Sequence, residues 1–461
     1  MTFLLGSGAG FSGDRTDAAV PVVAELIRRG QPCALVFETL GERTLAAAHR
    51  ALRESPRAGF EPLLEELLSP VLDDCLEHGI TILGNFGAAN PAGACEVVAG
   101  LARQLGRPDV RIGRVQGDDI RAALGDLDLQ LWEAETQALP GADQLISANV
   151  YLGAAPLCQA LELGAQVVVT GRVADPALFL APLVTHFGWA WDDWDRLAAG
   201  IMAGHLGECG SQVSGGYFAD PGVKDVAGLA TLGYPIIEVE AEGRLVVTKP
   251  PGTGGAVTEQ TVKEQLLYEV HDPGAYLTPD VVVDLSGVSV RQVGPDRVEV
   301  TGIRGRPAPA RLKTTVCYEG GWQGEAEISY AGPNALGRAR LAAQVLRERL
   351  AFRAPAELRQ RLDIIGLASV FDDDTGTLQQ TPAATEGDYR LRLAVEHAER
   401  RWVERATQEL LALYCAGPAG GGGVRRHFLR RVCTASYLVR RDDVDAFATL
   451  FEPGRLPHDT L

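Results

Sequence analysis

Short apolar runs alternate with amphipathic stretches through the first half of the chain. Phe3 to Leu5 opens the series and runs into the glycine-rich turn GSGAGFSGDR, after which a helix is expected from about Thr16 to Arg29. CALVFET (33–39), ITILGNFGAANP (80–91), DVRIGRVQGDDI (109–120) and QVVVTGRVADPALF (166–179) read as further strands, each with the loop that follows it. Between them, GERTLAAAHRALRE (41–54), FEPLLEELLSPVLDDCLEHG (60–79) and AGACEVVAGLARQLG (92–106) read as helices. The second should break around Pro70, and Gly106 should close the third. The strands are almost continuously apolar, as expected when both faces of a sheet are covered. Strands alternating with helices imply crossovers and a parallel sheet. The fold class expected is therefore α/β, a parallel sheet with helices on both faces, for the N-terminal half.

The pattern changes after about Gly233. YPIIEVEAEGRLVVTK (234–249) reads as a hairpin turning at Glu-Gly, and VVVDLSGVSV, DRVEVTGI, KTTVCYEG and EAEISYAG as short alternating strands. Helices are expected at about 257–269, 334–352 and 397–414, with late strands at 362–371, 388–396 and 431–440. This half reads as α+β. The expected division is 1–225 and 226–461, with a sub-boundary near 353. No internal repeat is visible, and the low-complexity run is Gly420 to Gly423.

A chain of 461 residues, 46% hydrophobic, can bury two or three domain cores. A net charge of −17 argues against a nucleic-acid partner, because nothing offsets phosphate repulsion. No apolar stretch is long enough to predict a membrane span, and the N-terminus lacks the look of a leader peptide. The eight cysteines form no C-x-x-C pair, which suits a reducing cytoplasm. The expected partner is a small-molecule substrate, with the chain acting as a homo-oligomer.

Ligands of parallel sheets bind beyond the carboxyl ends of the strands. Every expected strand here ends in chemically unusual residues. The first gives Gly8, Gly10, Gly13, Asp14 and Arg15; the second gives Glu38 and Thr39; the third gives Asn85 and Asn90-Pro91. The fourth gives Gly117, Asp118 and Asp119, and the fifth gives Arg172, Asp175 and Pro176. Each has a plainer reading. Asn90-Pro91 and Asp175-Pro176 look like helix caps, and Asp14-Arg15 like a simple ion pair. Five such ends on one rim favour an active-site cleft. Gly8-x-Gly10-x-x-Gly13 also matches a dinucleotide fingerprint, with Glu38 at the expected distance for a ribose acid. However, FETLGERT runs straight into another helix, which counts against that reading.

His205, Glu208 and Cys209 fall on one helical face, yet no second ligand cluster supports a metal, and none is expected. His205 is the better acid–base candidate. Lys249 precedes PPGTGG, whose Gly252, Thr253 and Gly254 lead into a threonine-started helix; this is either an anion-gripping lid or a surface turn. GPAGGGG (417–423) is a third glycine loop. Glu38, His205 and Asp14 are the catalytic candidates. Arg15, Arg172 and Lys249 are the expected anion holders, helped by the glycine amides and by Asn85, Asn90 and Asp175.

GAGFSGDR, LVFETLGERT, NFGAANP, LISANVYLGAAPL, GRVADPALFLAPL, GHLGECGSQVSGGYFADPG, KPPGTGGAVTEQTVKEQLLYEVHDPGAYL and ISYAGPNALGRARLA together resemble the AtuA-type acyclic terpene utilisation family, over nearly the whole chain. The resemblance implies a setting in the breakdown of acyclic terpenes such as citronellol and geraniol, beside acyl-CoA carboxylase, hydratase and dehydrogenase steps. It transfers no catalytic residue. The reading that follows is a cytoplasmic enzyme of acyclic terpene or branched carboxylic acid/acyl-CoA catabolism with lyase- or hydratase-like proton transfer. A CoA thioester is an expected substrate moiety, and no cofactor is assigned. Two other classes stay open: a nucleotide-dependent ligase or transferase, and a non-catalytic subunit of an acyl-CoA-processing complex.

Overall fold

Alternate residues of the N-terminal strands enter two different cores. Leu5, Val36, Leu83 and Val168 pack on one side, while Leu4, Leu35, Ile82 and Val167 pack on the other. Successive strand side chains point to opposite faces, so a strand apolar at every position needs cover on both. The first side is covered by the helices Ala155–Glu162, Ala177–Phe187 and Trp194–Glu208. The second is covered by Ala19–Arg29, Leu64–Leu68, Leu72–Glu77 and Pro91–Gln104. The break between Leu68 and Leu72 falls at Pro70, as proline's missing donor requires.

The computed structural model describes residues 1–132, 139–370, 372–373, 375–377 and 386–453. Among them, Thr2–Ala9, Cys33–Phe37, Thr81–Gly84, Val167–Val169 and Ile112–Gln116 lie side by side and parallel, in that order. The register pairs Leu5 with Ala34, Leu35 with Ile82, and Leu83 with Val168. All their carboxyl ends therefore share one edge. Antiparallel strands extend the sheet on both sides. The hairpin Ile236–Glu240/Leu245–Thr248 joins beside Thr2–Ala9, followed by Arg297–Thr301 and Ser289–Gly294. Phe447–Leu450 pairs with Ile112–Gln116 at the far edge.

The chain folds as two compact units, Met1–Cys317 with Thr434–Leu461, and Tyr318–Cys433. Residues 226–317 thus belong with the first 225, because their hairpin strands complete the first sheet. The change of pattern near Gly233 marks a switch from parallel to antiparallel pairing within one unit, not the boundary between units. In the second unit Arg359–Ile365 pairs with Glu386–His397, which pairs antiparallel with the stretch around Ile328. The helices Ala335–Arg353 and Arg400–Ala416 bury Ala339, Leu346, Leu410 and Leu413 in the same core as Ile328 and Leu391.

Three expectations need correcting. KTTVCYEG and EAEISYAG belong to one continuous strand, Arg311–Pro333. The run of glycines is only partly a loop, since the strand Gly422–Arg440 begins inside it. The strand expected at 362–371 runs from Arg359 to Ile365, and residue 371 lies outside the described residues. Among the described residues, no helix is long and apolar enough to cross a membrane.

Candidate functional site

A cavity of about 1250 Å³ opens over the carboxyl edge of the parallel strands. It is lined by Gly10 and Asp14 after the first strand, Glu38 after the second, and Arg172 and Asp175 after the strand Val167–Val169. His205 and Glu208 line it from the end of the helix Trp194–Glu208. All of these lie in the first unit.

Glu38 is strongly perturbed. Its Oε1 accepts two hydrogen bonds at 2.7 Å, from the Leu40 amide and from Asn85 Nδ2. Asn85 is fully buried and accepts from the Thr39 amide at 2.7 Å, so it ties together the ends of two neighbouring strands. Among the described residues Oε2 makes no hydrogen bond. Burial, helped by the Asp175 charge, raises Glu38 to about 8, against the pull of Arg172 and Asn85. A proton on this carboxyl belongs on Oε2, because both donors point at Oε1. The surroundings of Glu38 thus favour its neutral form and leave Oε2 free.

Arg172 is 3% exposed. Its Nη1 donates to the Leu40 carbonyl at 2.5 Å and to Asp175 at 2.7 Å, and its guanidinium lies 4.0 Å from the centre of the Tyr151 ring. Lys313 approaches the same ring at 4.6 Å. Two cations on one aromatic ring make a region that attracts electron-rich groups. Against its burial, the Tyr151 hydroxyl, Arg172 and Lys313 hold Glu42 at about 2, and the Tyr151 hydroxyl donates to that carboxylate. The backbone amide of Arg172 is fixed by Asp118 at 2.7 Å, which also accepts from Asn149 at 2.9 Å. Gly171 makes this possible, since a Cβ there would sit 2.6 Å from the Asp118 carboxylate. Nε of Arg172 is buried and has no hydrogen-bond partner among the described residues.

Other expected site residues have different tasks. Asp14 takes the Gly10 amide at 2.8 Å on one oxygen, and the Arg15 amide at 2.8 Å and the Tyr234 hydroxyl at 2.5 Å on the other. Its carboxylate holds the glycine loop in shape and has little capacity left for proton transfer. Arg15 pairs with Asp17 at 2.9 Å and does not line the cavity. Gly8 and Gly10 are needed for packing: a Cβ on Gly8 would strike the Phe37 ring at 2.6 Å, and one on Gly10 the Cys209 backbone at 2.4 Å. Gly13 has φ of 91°, so its turn also requires glycine. Asn90 caps its helix, accepting from the Gly93 amide at 3.0 Å, with Pro91 at the first turn. Asp175 is not a cap but the carboxylate partner of Arg172.

Lys249, Gly252, Thr253 and Gly254 do not line the cavity. Lys249 is 6% exposed, donating to the Thr253 carbonyl at 2.9 Å and pairing with Asp296 at 3.2 Å. The loop is braced by its own lysine rather than left open to a ligand.

Sequence reasoning passed over Tyr151 and Glu42 as polar members of the site, and over Asn149 as the support of Asp118; it weighed Glu208 only as a metal ligand. LISANVYLG carried a signal, since an asparagine and a tyrosine close an otherwise apolar strand. It also passed over the apolar wall. Phe11, Trp132, Tyr217, Tyr268, Tyr276 and Leu312 line the same cavity. Tyr217 meets Tyr268 edge-on with ring centres 6.4 Å apart. The cavity joins a buried, charged end to an aromatic wall, which suits an apolar molecule with one polar head.

Among curated proteins none matches the chain. Compared with known families, residues 3–450 match the one described as "Acyclic terpene utilisation family protein AtuA", a name that implies involvement in acyclic terpene utilisation. With 3–450 of its 461 residues matched, the chain belongs to the AtuA family.

Proposed function

We propose that the chain is an enzyme that moves a proton beside the carbonyl of a branched, acyclic acyl substrate and adds or eliminates water, or a comparable group, across the adjacent carbon–carbon bond. The observation that carries this reading is Glu38, a buried carboxyl raised to about 8 with Oε1 locked by two donors and Oε2 free, in a cavity it shares with Arg172. A general acid works best when its pKa lies near the working pH. Arg172 supplies fixed positive charge for a carbonyl oxygen that turns negative as the proton leaves. The aromatic wall suits the branched chain. A cavity of about 1250 Å³ is larger than a short acid needs and leaves room for a thioester carrier. The eight cysteines are all free, in keeping with action in the cytoplasm.

The test is to incubate the protein in deuterium oxide with 3-methyl-branched 2-enoyl and 3-hydroxyacyl thioesters and their free acids. Mass spectrometry and NMR would follow deuterium at the α-carbon and interconversion of the pair. The expected result is α-exchange, together with hydration that Glu38→Gln abolishes. A folded protein that binds these compounds but exchanges no proton would overturn the reading.

A further inference from the structure

We infer that Glu208 is the second acid–base group of this cavity and that His205 is its positioning residue; the inference rests on the proton-transfer reading of the same site. Nε2 of His205 lies 2.8 Å from the Gln265 carbonyl oxygen. A carbonyl only accepts, so Nε2 carries a hydrogen. Nδ1 lies 2.9 Å from Glu208 Oε1, and one proton is shared across that contact. The imidazole therefore has no nitrogen left for a substrate. This corrects the sequence expectation that made His205 itself the acid or base.

Glu208 is different. Its Oε1 is held by the imidazole, while Oε2 is buried and has no hydrogen-bond partner among the described residues. The residue is 6% exposed and lines the cavity. A buried carboxylate oxygen left unsatisfied is costly, and native structures keep such atoms where a function needs them. The support behind it is rigid. Gln265 returns a hydrogen bond from Nε2 to the His205 carbonyl at 2.9 Å, so two helices clamp the imidazole from both sides. Glu38 enters from a strand end and Glu208 from a helix end, and the Asp175 charge acts on both.

In the elimination direction, the α C–H bond breaks and Oε2 of Glu208 takes the proton. The electron pair moves toward the carbonyl oxygen held by Arg172, then forms the α–β double bond as the β C–O bond breaks. The Oε2 proton of Glu38 goes to the departing oxygen, and water leaves. Glu38 ends as a carboxylate and Glu208 as a carboxylic acid; exchange of protons with solvent resets both. Hydration runs the same steps in reverse.

The experiment compares α-deuterium exchange, interconversion of the enoyl and hydroxyacyl pair, and thioester binding in Glu208→Ala, Glu208→Gln, His205→Asn and Glu38→Gln, each with its thermal midpoint. Glu208→Ala should lose at least about a hundredfold in exchange rate, the low end for a missing acid–base group. Added formate, small enough to fill the vacated carboxylate position, should restore part of it. His205→Asn should lower turnover with little change in KM. Glu208→Gln should bind substrate and stay inactive, covering the case in which the alanine variant does not fold. Exchange at the wild-type rate in Glu208→Ala, with Glu38→Gln unable to interconvert the enoyl and hydroxyacyl pair, overturns this inference and leaves the proposed function standing. Interconversion at the wild-type rate in Glu38→Gln removes the proposed function as well. A folded but inactive Glu208→Ala that formate never rescues makes Glu208 structural and also overturns the inference.

Discussion

Two regions of the first unit look alike as sequence and behave differently as structure. One is the strand-end rim that carries Glu38 and Arg172; the other is the TKPPGTGG loop that carries Lys249. Both bring glycines, a cation and a helix start together. In the loop, the cation is consumed: Lys249 is bonded to Thr253 and Asp296. At the rim, capacity is left over. Glu38 keeps Oε2, Arg172 keeps Nε and Glu208 keeps Oε2. Residue type does not separate these cases. What separates them is the hydrogen-bonding capacity that remains after the fold has taken its share.

The strongest test of that contrast is Glu38→Gln. The amide can keep an acceptor for Leu40 and Asn85 but cannot supply a proton. Interconversion of branched enoyl and 3-hydroxyacyl thioesters should fall by about a hundredfold or more, while the thermal midpoint holds or rises, because a costly buried carboxyl has been removed. An active Glu38→Gln would show that the spare oxygen is incidental.

Arg172 and Lys249 form the next pair. Arg172→Ala strips the partner from Asp175 and should cost about 3–5 kcal/mol of stability, the range for one broken buried ion pair, together with substrate affinity. Arg172→Lys should fold better and still bind poorly, because an ammonium cannot reproduce the forked contacts. Lys249→Met should lower the thermal midpoint yet leave turnover per folded molecule within about twofold, since a fully engaged lysine contributes only to stability. Denaturant melts beside active-site-normalised rates check this. Turnover lost in Lys249→Met at unchanged stability would reverse the assignment and return the loop to the site.

A smaller effect lies in the pH dependence of stability. Folding raises Glu38 from 4.5 to about 8, so the folded state binds its proton more tightly. That contribution is full below about 4.5 and is lost as pH rises through about 8. Asp118, raised by burial to about 6, acts in part of the same window but is common to both proteins. Wild type should therefore lose more stability than Glu38→Gln between about pH 5 and pH 8.5. Parallel curves would mean that Glu38 is not held protonated by its surroundings.

Much of this architecture was legible, and the reasons are local. Continuous apolar runs such as CALVF and ILG can only be strands covered on both faces, and Asn90-Pro91 announces its helix directly. Five parallel strand ends on one edge then follow, and with them the placement of Glu38 and Arg172. The single strand Arg311–Pro333 was not legible, because Gly320 and Gly321 read as a stop. Nor was the saturation of Asp14, which depends on Tyr234, 220 residues away. The Glu208–His205–Gln265 chain depends likewise on a carbonyl from another helix. Spacing shows which groups can meet locally; which of them stay unsatisfied is decided by partners distant in sequence.

The smallest effect concerns the other end of the cavity. Tyr217 is 89% exposed, has φ of 59° and lines the cavity beside Tyr268. A tyrosine in left-handed backbone is strained by about 1 kcal/mol or more, and an exposed aromatic ring gains little from the fold in return. If the ring reads the apolar chain of the substrate, the strain has a use. Tyr217→Gly should relieve it and raise the thermal midpoint slightly. Loss of one aromatic contact is worth about 0.5–1.5 kcal/mol, so the preference for a long branched chain over a short one, measured as the ratio of kcat/KM values, should drop several-fold. The Glu38-dependent hydration of the short substrate should stay the same. Equal losses on both substrates would mean that Tyr217 supports the charged end instead, and the division of the cavity into a reacting end and a chain-reading wall would fail.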